Sequence, residues 1–112
     1  MRIIISESRL YNIILDYINK NYYPDYGWED STEFYRNEVM RHKEIDFRIN
    51  EIYSYAYYLT YGFDEKVLHI TSRVEDELTD LFGNKWVPVF KDWFEKNTGL
   101  TVIAVFTTGR LI

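Results

Sequence analysis

The sequence has no cysteine, and it is poor in glycine and proline, with 5 and 2 residues among 112. The absence of thiols excludes disulfide bonds, thiolate nucleophiles and cysteine-ligated zinc. Long hydrophobic runs are also missing, since no stretch approaches the ~20 apolar residues that cross a bilayer. The apolar run at residues 3–5 is too short for the core of a signal peptide. We therefore expect no contact with a membrane.

The composition that remains is that of a folded domain. Hydrophobic residues make up 46% of the chain and charged residues 28%, which is far from the composition of disordered chains. A chain of 112 residues has the size of one domain, and two halves would each bury little surface. We expect residues 1–112 to form a single compact domain.

Acidic residues outnumber basic residues by 18 to 13, which gives a formal net charge of −5. The excess is spread over both halves of the chain, whereas a protein that binds a phosphate backbone needs a clustered basic face. Direct nucleic-acid binding is therefore not expected. The acidic excess is compatible with solubility alone, with a basic protein partner, or with mimicry of a nucleic acid.

Aromatic residues are unusually abundant, at 19% of the chain, and 11 residues are tyrosine. A small domain cannot pair every tyrosine hydroxyl inside its core, so we expect some rings at a surface that binds a protein partner or a second copy of the chain. In the competing interpretation, the rings of the aromatic loop at residues 22–30 fold back to close the core. The candidate interface residues are Tyr22, Tyr23, Tyr26, Trp28, Tyr53, Tyr55 and Tyr57.

The N-terminal part of the chain changes from a strand-like to a helix-like pattern at Ser6. The β-branched run at residues 3–5 predicts a short strand, and the apolar spacing after it predicts a helix over 7–21. Ser6 is a suitable N-cap for that helix. Residues 21–30 have no period and predict a loop, whereas 31–43 fit a short helix or a strand about equally well.

Residues 45–61 show an alternating pattern, because most of their apolar residues occupy odd positions and only Glu51 breaks the series. A period of two predicts one strand, or two strands in line. Gly62 separates this stretch from a second β-rich run over 67–71, which predicts a hairpin that turns near Gly62. A continuous helix over 45–61 is the competing interpretation, and it explains fewer of the tyrosines.

Two helices are predicted in the C-terminal half. Ser72 and Glu75 have the spacing of a capping box, and the helix that they start ends before Gly83. A second helix carries Pro88 in its first turn and stops at Gly99. The residues expected to face the core are Val74, Leu78, Leu81, Phe82, Trp86, Val89, Phe90, Trp93 and Phe94.

A final apolar run at 102–106 predicts a strand that is buried on both faces. The order of elements therefore indicates an α+β fold with about three helices and a mixed or antiparallel sheet. The chain shows no internal repeat and no linker.

No motif in the sequence predicts a catalytic residue, a cofactor or a metal site. His42 and His69 are the residues suited to acid–base chemistry near neutral pH, but neither has a companion motif. Glu38, one helical turn from His42, is a conceivable metal ligand. The acids at 75–80 lack the spacing of a calcium loop, and we interpret them as a solvated helix face.

The first ten residues, MRIIISESRL, resemble the start of small uncharacterised proteins of tailed bacteriophages, including crAss-like phages of Bacteroidota. The resemblance assigns no functional residue. It implies a phage-encoded protein in the cytoplasm of the host cell or in the virion. Three functions remain open: a non-enzymatic protein–protein interaction protein of the virion or an accessory component, an acidic inhibitor of a host defence or nucleic-acid-binding enzyme, and a small enzyme with a His/carboxylate pair.

Overall fold

The computed structural model describes residues 6–24, 28, 44–51, 54–107 and 110–111. Within these ranges the chain has an α+β fold with three helices and a five-stranded mixed sheet, which confirms the predicted class. The strand predicted at 3–5 and the undecided segment 31–43 lie outside the described residues. In chain order the elements are α1 (Glu7–Tyr22), β1 (Glu44–Glu51), β2 (Ser54–Gly62), β3 (Val67–Ile70), α2 (Ser72–Phe82), α3 (Trp86–Thr98), β4 (Ala104–Thr107) and β5 (Arg110–Leu111).

The five strands lie in the sheet in their sequence order, β1-β2-β3-β4-β5. All neighbouring pairs are antiparallel except β3 and β4, which run parallel because α2 and α3 carry the chain back across the sheet. The predicted hairpin at Gly62 is confirmed, since Gly62 pairs with Val67 and the turn is closed by Lys66 N donating to Gly62 O at 2.9 Å.

The strands predicted over 45–61, in preference to a helix, are confirmed in the described residues, but their arrangement as one strand, or two in line, is wrong. The structure has an antiparallel hairpin here, in which Glu51 pairs with Ser54, so the break in the alternation at Glu51 marks the end of a strand. The register also shifts inside this hairpin: Phe47 pairs with Leu59 and the next residue of β1 pairs with Tyr57. One residue of β2, Tyr58, is therefore extra, and such a bulge moves the alternation to the other face.

Helix α1 confirms the predicted helix at the start of the chain. Ser6 is its N-cap and accepts a hydrogen bond from Arg9 N at 3.3 Å, which pairs one of the free amides of the first turn. The buried residues Ile14, Ile18 and Tyr22 recur every fourth position, so they lie on one face of the helix.

Helix α2 begins differently from the prediction. Its N-cap is Thr71, and no side chain caps the first turn. Ser72 is the first helical residue, so the capping box with Glu75 does not form. The amides of Val74 and Glu75 donate to the carbonyl oxygen of Thr71, at 3.1 and 3.2 Å, as the first backbone bonds of the helix, and Thr71 directly follows β3.

The expected core face of α2 is confirmed at Val74 and Leu78, and Phe82 is partly buried, but Leu81 is 53% exposed. Thr79 accepts a hydrogen bond from the Trp86 indole at 3.1 Å, which marks the side of the helix that α3 packs against. At about 100° per residue, Leu81 lies about 160° round the helix from Thr79. Leu81 therefore stays in solvent in the last turn.

Helix α3 confirms both its predicted ends and its core residues. Pro88 lies in its first turn, and Gly99 ends it with φ 73° in the left-handed region while its N–H donates to Glu95 O at 2.8 Å. The predicted core residues Trp86, Val89, Phe90, Trp93 and Phe94 are all buried.

Strand β4 starts two residues later than predicted and is not buried on both faces. Val105 and Thr107 are buried, Ala104 and Phe106 are intermediate, and Ile103 before the strand is 67% exposed. The alternation reflects the two faces of the sheet. The face that contains Val105 belongs to the same buried cluster as the core residues of the helices. The helices therefore cover one face, which also contains Leu59, Tyr61, Leu68 and Ile70.

Candidate functional site

Two of the candidate interface residues, Tyr22 and Trp28, lie at the core. Tyr22 ends α1 with 4% of its surface exposed, and Trp28, whose backbone is helical, is partly buried. The Trp28 ring meets those of Phe47 and Trp93 edge to face, at centroid distances of 5.0 and 4.9 Å. These two rings agree with the alternative in which the aromatic segment closes the core.

The other candidate interface residues lie on different elements or outside the described part of the chain. Tyr23 is 44% exposed just after α1, and its ring lies 6.0 Å from that of Trp28. Tyr55 and Tyr57 are residues of β2. Tyr26 and Tyr53 lie outside the described residues. An aromatic interface therefore stays a prediction.

The sheet face opposite the helices holds the first candidate surface, which we call the open-face row. It contains Thr60, His69, Phe106 and Leu111, which are register partners across β2, β3, β4 and β5. His69 is exposed and stacks on Phe106 at a centroid distance of 5.6 Å and an interplanar angle of 30°. Leu111 is 62% exposed. The stacked aromatic pair beside an exposed leucine is suited to contact with another protein surface.

A second candidate surface is a groove of about 480 Å³ between α1 and α3, which we call the helix groove. Most of the residues that line it are polar, and Trp93 at its base is 2% exposed. The lining residues are Asn12, Leu15, Asp16 and Asn19 from α1, and Trp93, Lys96 and Asn97 from α3.

Trp93 fixes two of the groove's carboxamides. Its indole N–H donates to Asn19 Oδ1 at 3.3 Å, and its carbonyl oxygen accepts from Asn97 Nδ2 at 2.8 Å. The Nδ2 of Asn19 and the Oδ1 of Asn97 are not used by these bonds. The groove thus has one oriented donor and one oriented acceptor, together with the ammonium group of Lys96.

A third cluster joins α1 to α2 through Glu77. The Tyr17 hydroxyl donates to Glu77 Oε1, and this bond with the carboxylate raises the pKa of Tyr17 to about 12. Burial, followed by the hydrogen bond with Glu77, raises the pKa of Tyr22. The hydrogen bonds from Tyr17 and then Tyr22 hold the pKa of Glu77 below its usual value. The carboxylate is thus held charged between two tyrosines, so the cluster links the helices.

The described residues do not assemble a recognisable catalytic or metal-binding constellation. His69 is on the open-face row beside Phe106, and His42 lies outside the described residues, as does Glu38. No group of three His, Asp or Glu side chains in the described ranges is placed to hold a metal ion. Of the acids at 75–80, Asp76 and Asp80 are exposed, as the solvated-face interpretation expects, whereas Glu77 is bonded to Tyr17.

Sequence reasoning missed the helix groove, although one signal was present. Asparagine has a low helix propensity, because its side chain competes for backbone hydrogen bonds. Asn12 and Asn19 nevertheless lie within α1, and Asn97 lies near the end of α3. Asparagine at helical positions draws attention to a role other than helix formation, but Asn21 of α1 carries the same signal and does not line the groove.

Comparison of the chain with models of protein families, with curated proteins and with solved structures finds no match. None of the helices described above has the length and apolar character needed to cross a bilayer.

Proposed function

We propose that the protein acts without catalysis, through protein–protein contact, and that the open-face row is its contact surface. One observation carries the proposal: the sheet face away from the helices presents the stacked pair His69 and Phe106 beside a Leu111 that is 62% exposed. Aromatic and aliphatic anchors of this kind lose contact with water when a partner covers them, and that loss stabilises a complex.

The partner that we propose is a second copy of the chain. Copies with a net charge of −5 repel one another, so self-association favours a surface without carboxylates. None of the four residues of the open-face row is a carboxylate, and Asp46, the register partner of Thr60, lies at the β1 end, away from Phe106 and Leu111. Asp16, Asp76 and Asp92 are exposed on the helices. Two copies that meet at Phe106 and Leu111, the end of the row away from Asp46, can therefore associate without burying like charges.

The backbone register extends the row toward two of the predicted interface tyrosines. Tyr57 pairs with Arg48, which follows Asp46 by two residues, and Asp46 is the partner of Thr60. Positions 57 and 60 are an odd number of residues apart and would alternate in a regular strand. The extra residue of the bulge lies between them, so the register assigns both positions to the same face of the sheet. Tyr55 precedes Tyr57 by two residues, so the register assigns it to this face as well. The register supports a contact surface that includes both tyrosines.

The resemblance of the first ten residues to proteins of tailed phages supports a role as a virion or accessory component. Self-association is suited to that role, since virion components commonly assemble from copies of one chain.

The test is the oligomeric state, measured by light scattering over a range of protein concentrations. We expect a dimer for the natural chain, and a dissociation constant at least ~10-fold higher, or about 1.4 kcal/mol, for the double variant His69→Glu with Leu111→Asp. Leu81→Asp is the matched control. Leu81 is 53% exposed on α2, outside the open-face row, so this substitution should leave the dimer unchanged.

A second variant tests the tyrosines. Tyr55→Ala with Tyr57→Ala should also weaken the dimer, while circular dichroism shows that the variant is folded. A monomeric natural chain, or a dimer that tolerates the change at His69 and Leu111, would show that the open-face row is not the contact surface.

A further inference from the structure

We propose that the helix groove binds an extended peptide segment of another protein and recognises its main chain through asparagine side chains. The site is distinct from the open-face row, because it lies between α1 and α3 and shares no residue with the row. The inference therefore does not depend on self-association.

The dimensions of the groove suit a short extended segment. Its volume of about 480 Å³ lies in the range of ligand-binding clefts. Along α1 the lining runs from Asn12 to Asn19, which at 1.5 Å per residue is ~10 Å. An extended chain rises ~3.3 Å per residue, so about three residues of a peptide match this length.

The two fixed carboxamides complement a peptide group. Each peptide unit offers one N–H donor and one carbonyl acceptor. Asn97, which uses its Nδ2 on the Trp93 carbonyl, keeps its Oδ1 to accept from the peptide N–H. Asn19, which accepts from the Trp93 indole, keeps its Nδ2 to donate to the peptide carbonyl. Because Trp93 already orients both amides, little side-chain freedom is lost on binding.

The same geometry disfavours other ligand classes. A sugar ring needs an accessible aromatic face to stack on, but Trp93 is 2% exposed. Nucleotides and other phosphates are disfavoured by the net charge of −5 and by Asp16 in the groove wall.

The experiment selects peptides from a library of random nine-residue sequences capped at both ends, and measures the best one by fluorescence anisotropy. Its contact site is mapped by nitrogen-15 NMR, in which the side-chain amides of Asn19 and Asn97 and the indole N–H of Trp93 give their own signals. We expect these three signals to shift on binding. A copy of the peptide with N-methylated central residues should bind at least ~10-fold more weakly, because it lacks the main-chain donors.

Asn97→Leu should raise the dissociation constant at least ~10-fold. Asn21→Leu is the matched control: Asn21 Nδ2 donates to the carbonyl of the residue four positions earlier, Tyr17, at 2.8 Å, as Asn97 does to Trp93, but Asn21 does not line the groove. Equal thermal unfolding of the two variants shows that both are folded. Failure to select a peptide that shifts the three signals, or unchanged binding in Asn97→Leu, overturns the proposal, as does binding of a panel of oligosaccharides in place of peptides.

Discussion

Two tyrosine hydroxyls donate hydrogen bonds to carboxylates, and their surroundings determine how much each bond contributes to the stability of the fold. Tyr17 donates to Glu77 in a partly buried contact between α1 and α2. Tyr11 donates to Asp92 at 3.1 Å in an exposed contact between α1 and α3. The bonds are alike in chemistry, but water competes with the second one more effectively.

Tyr17→Phe should therefore lower the free energy of unfolding by ~1 kcal/mol, because it removes a hydrogen bond to a charged, partly buried carboxylate. The ring, which packs edge to face on Phe82 at 5.6 Å, stays in place. Tyr11→Phe is the control and should change the same quantity by less than ~0.5 kcal/mol. Urea denaturation measures both, and equal losses would mean that burial does not distinguish the two bonds.

The Glu77 cluster also predicts how stability depends on pH. The pKa of Glu77 is below its usual 4.5, so its contribution is present above pH 4.5 and is lost as the pH falls through the lowered value. The pKa of Tyr17 is raised from 10.0 to about 12, so its contribution is present below pH 10 and is lost between pH 10 and about 12. Glu77→Gln should flatten both changes. Thermal melts over this pH range measure them, and an unchanged profile in Glu77→Gln would assign the dependence to other groups.

On helix α2, two leucines of equal size have opposite surroundings. Leu78 is 0% exposed in the core, and Leu81 is 53% exposed. Leu78→Ala should lower the free energy of unfolding by ~2 to 4 kcal/mol, through lost burial and the cavity that remains. Leu81→Ala should change it by less than ~0.5 kcal/mol. Chemical denaturation measures both, and a large loss at Leu81 would mean that its surroundings in solution differ from those described.

The helices were predictable because their signals are local. Ser6 caps α1, Gly83 and Gly99 end α2 and α3, and apolar spacing identifies the buried face of each helix. Leu81 was predicted wrongly, since apolar spacing does not tell on which side of α2 the neighbouring helix packs. That information is tertiary.

The strands were predicted less well because their pairing is not local. The hairpin at Gly62 carries a glycine signal, whereas the hairpin between Glu51 and Ser54 has neither glycine nor proline at residues 52–53. The bulge at Tyr58 has no sequence signal either. One strand, two strands in line and a bulged hairpin therefore give the same alternating pattern.

At the scale of the whole molecule, one crossover connection determines which face of the sheet the helices cover. Helices α2 and α3 join the parallel strands β3 and β4, and α1 packs against α3, so the buried residues of all three helices form one cluster with one sheet face. The fold class and the three helices of the described residues were predictable from the order of the elements. The candidate sites were not, since the open-face row joins residues from four strands and the helix groove joins α1 to α3.

The placement of the three tryptophans gives the folded protein a built-in optical signal. Trp86 and Trp93 are buried in the core, and Trp28 lies with its ring 4.9 Å from that of Trp93. The fluorescence of these tryptophans is that of indoles shielded from water. It shifts to longer wavelength when unfolding exposes the rings to water. A ligand that perturbs Asn19 alters the emission through the Trp93 indole, whereas association through the open-face row, which contains no tryptophan, leaves the spectrum unchanged.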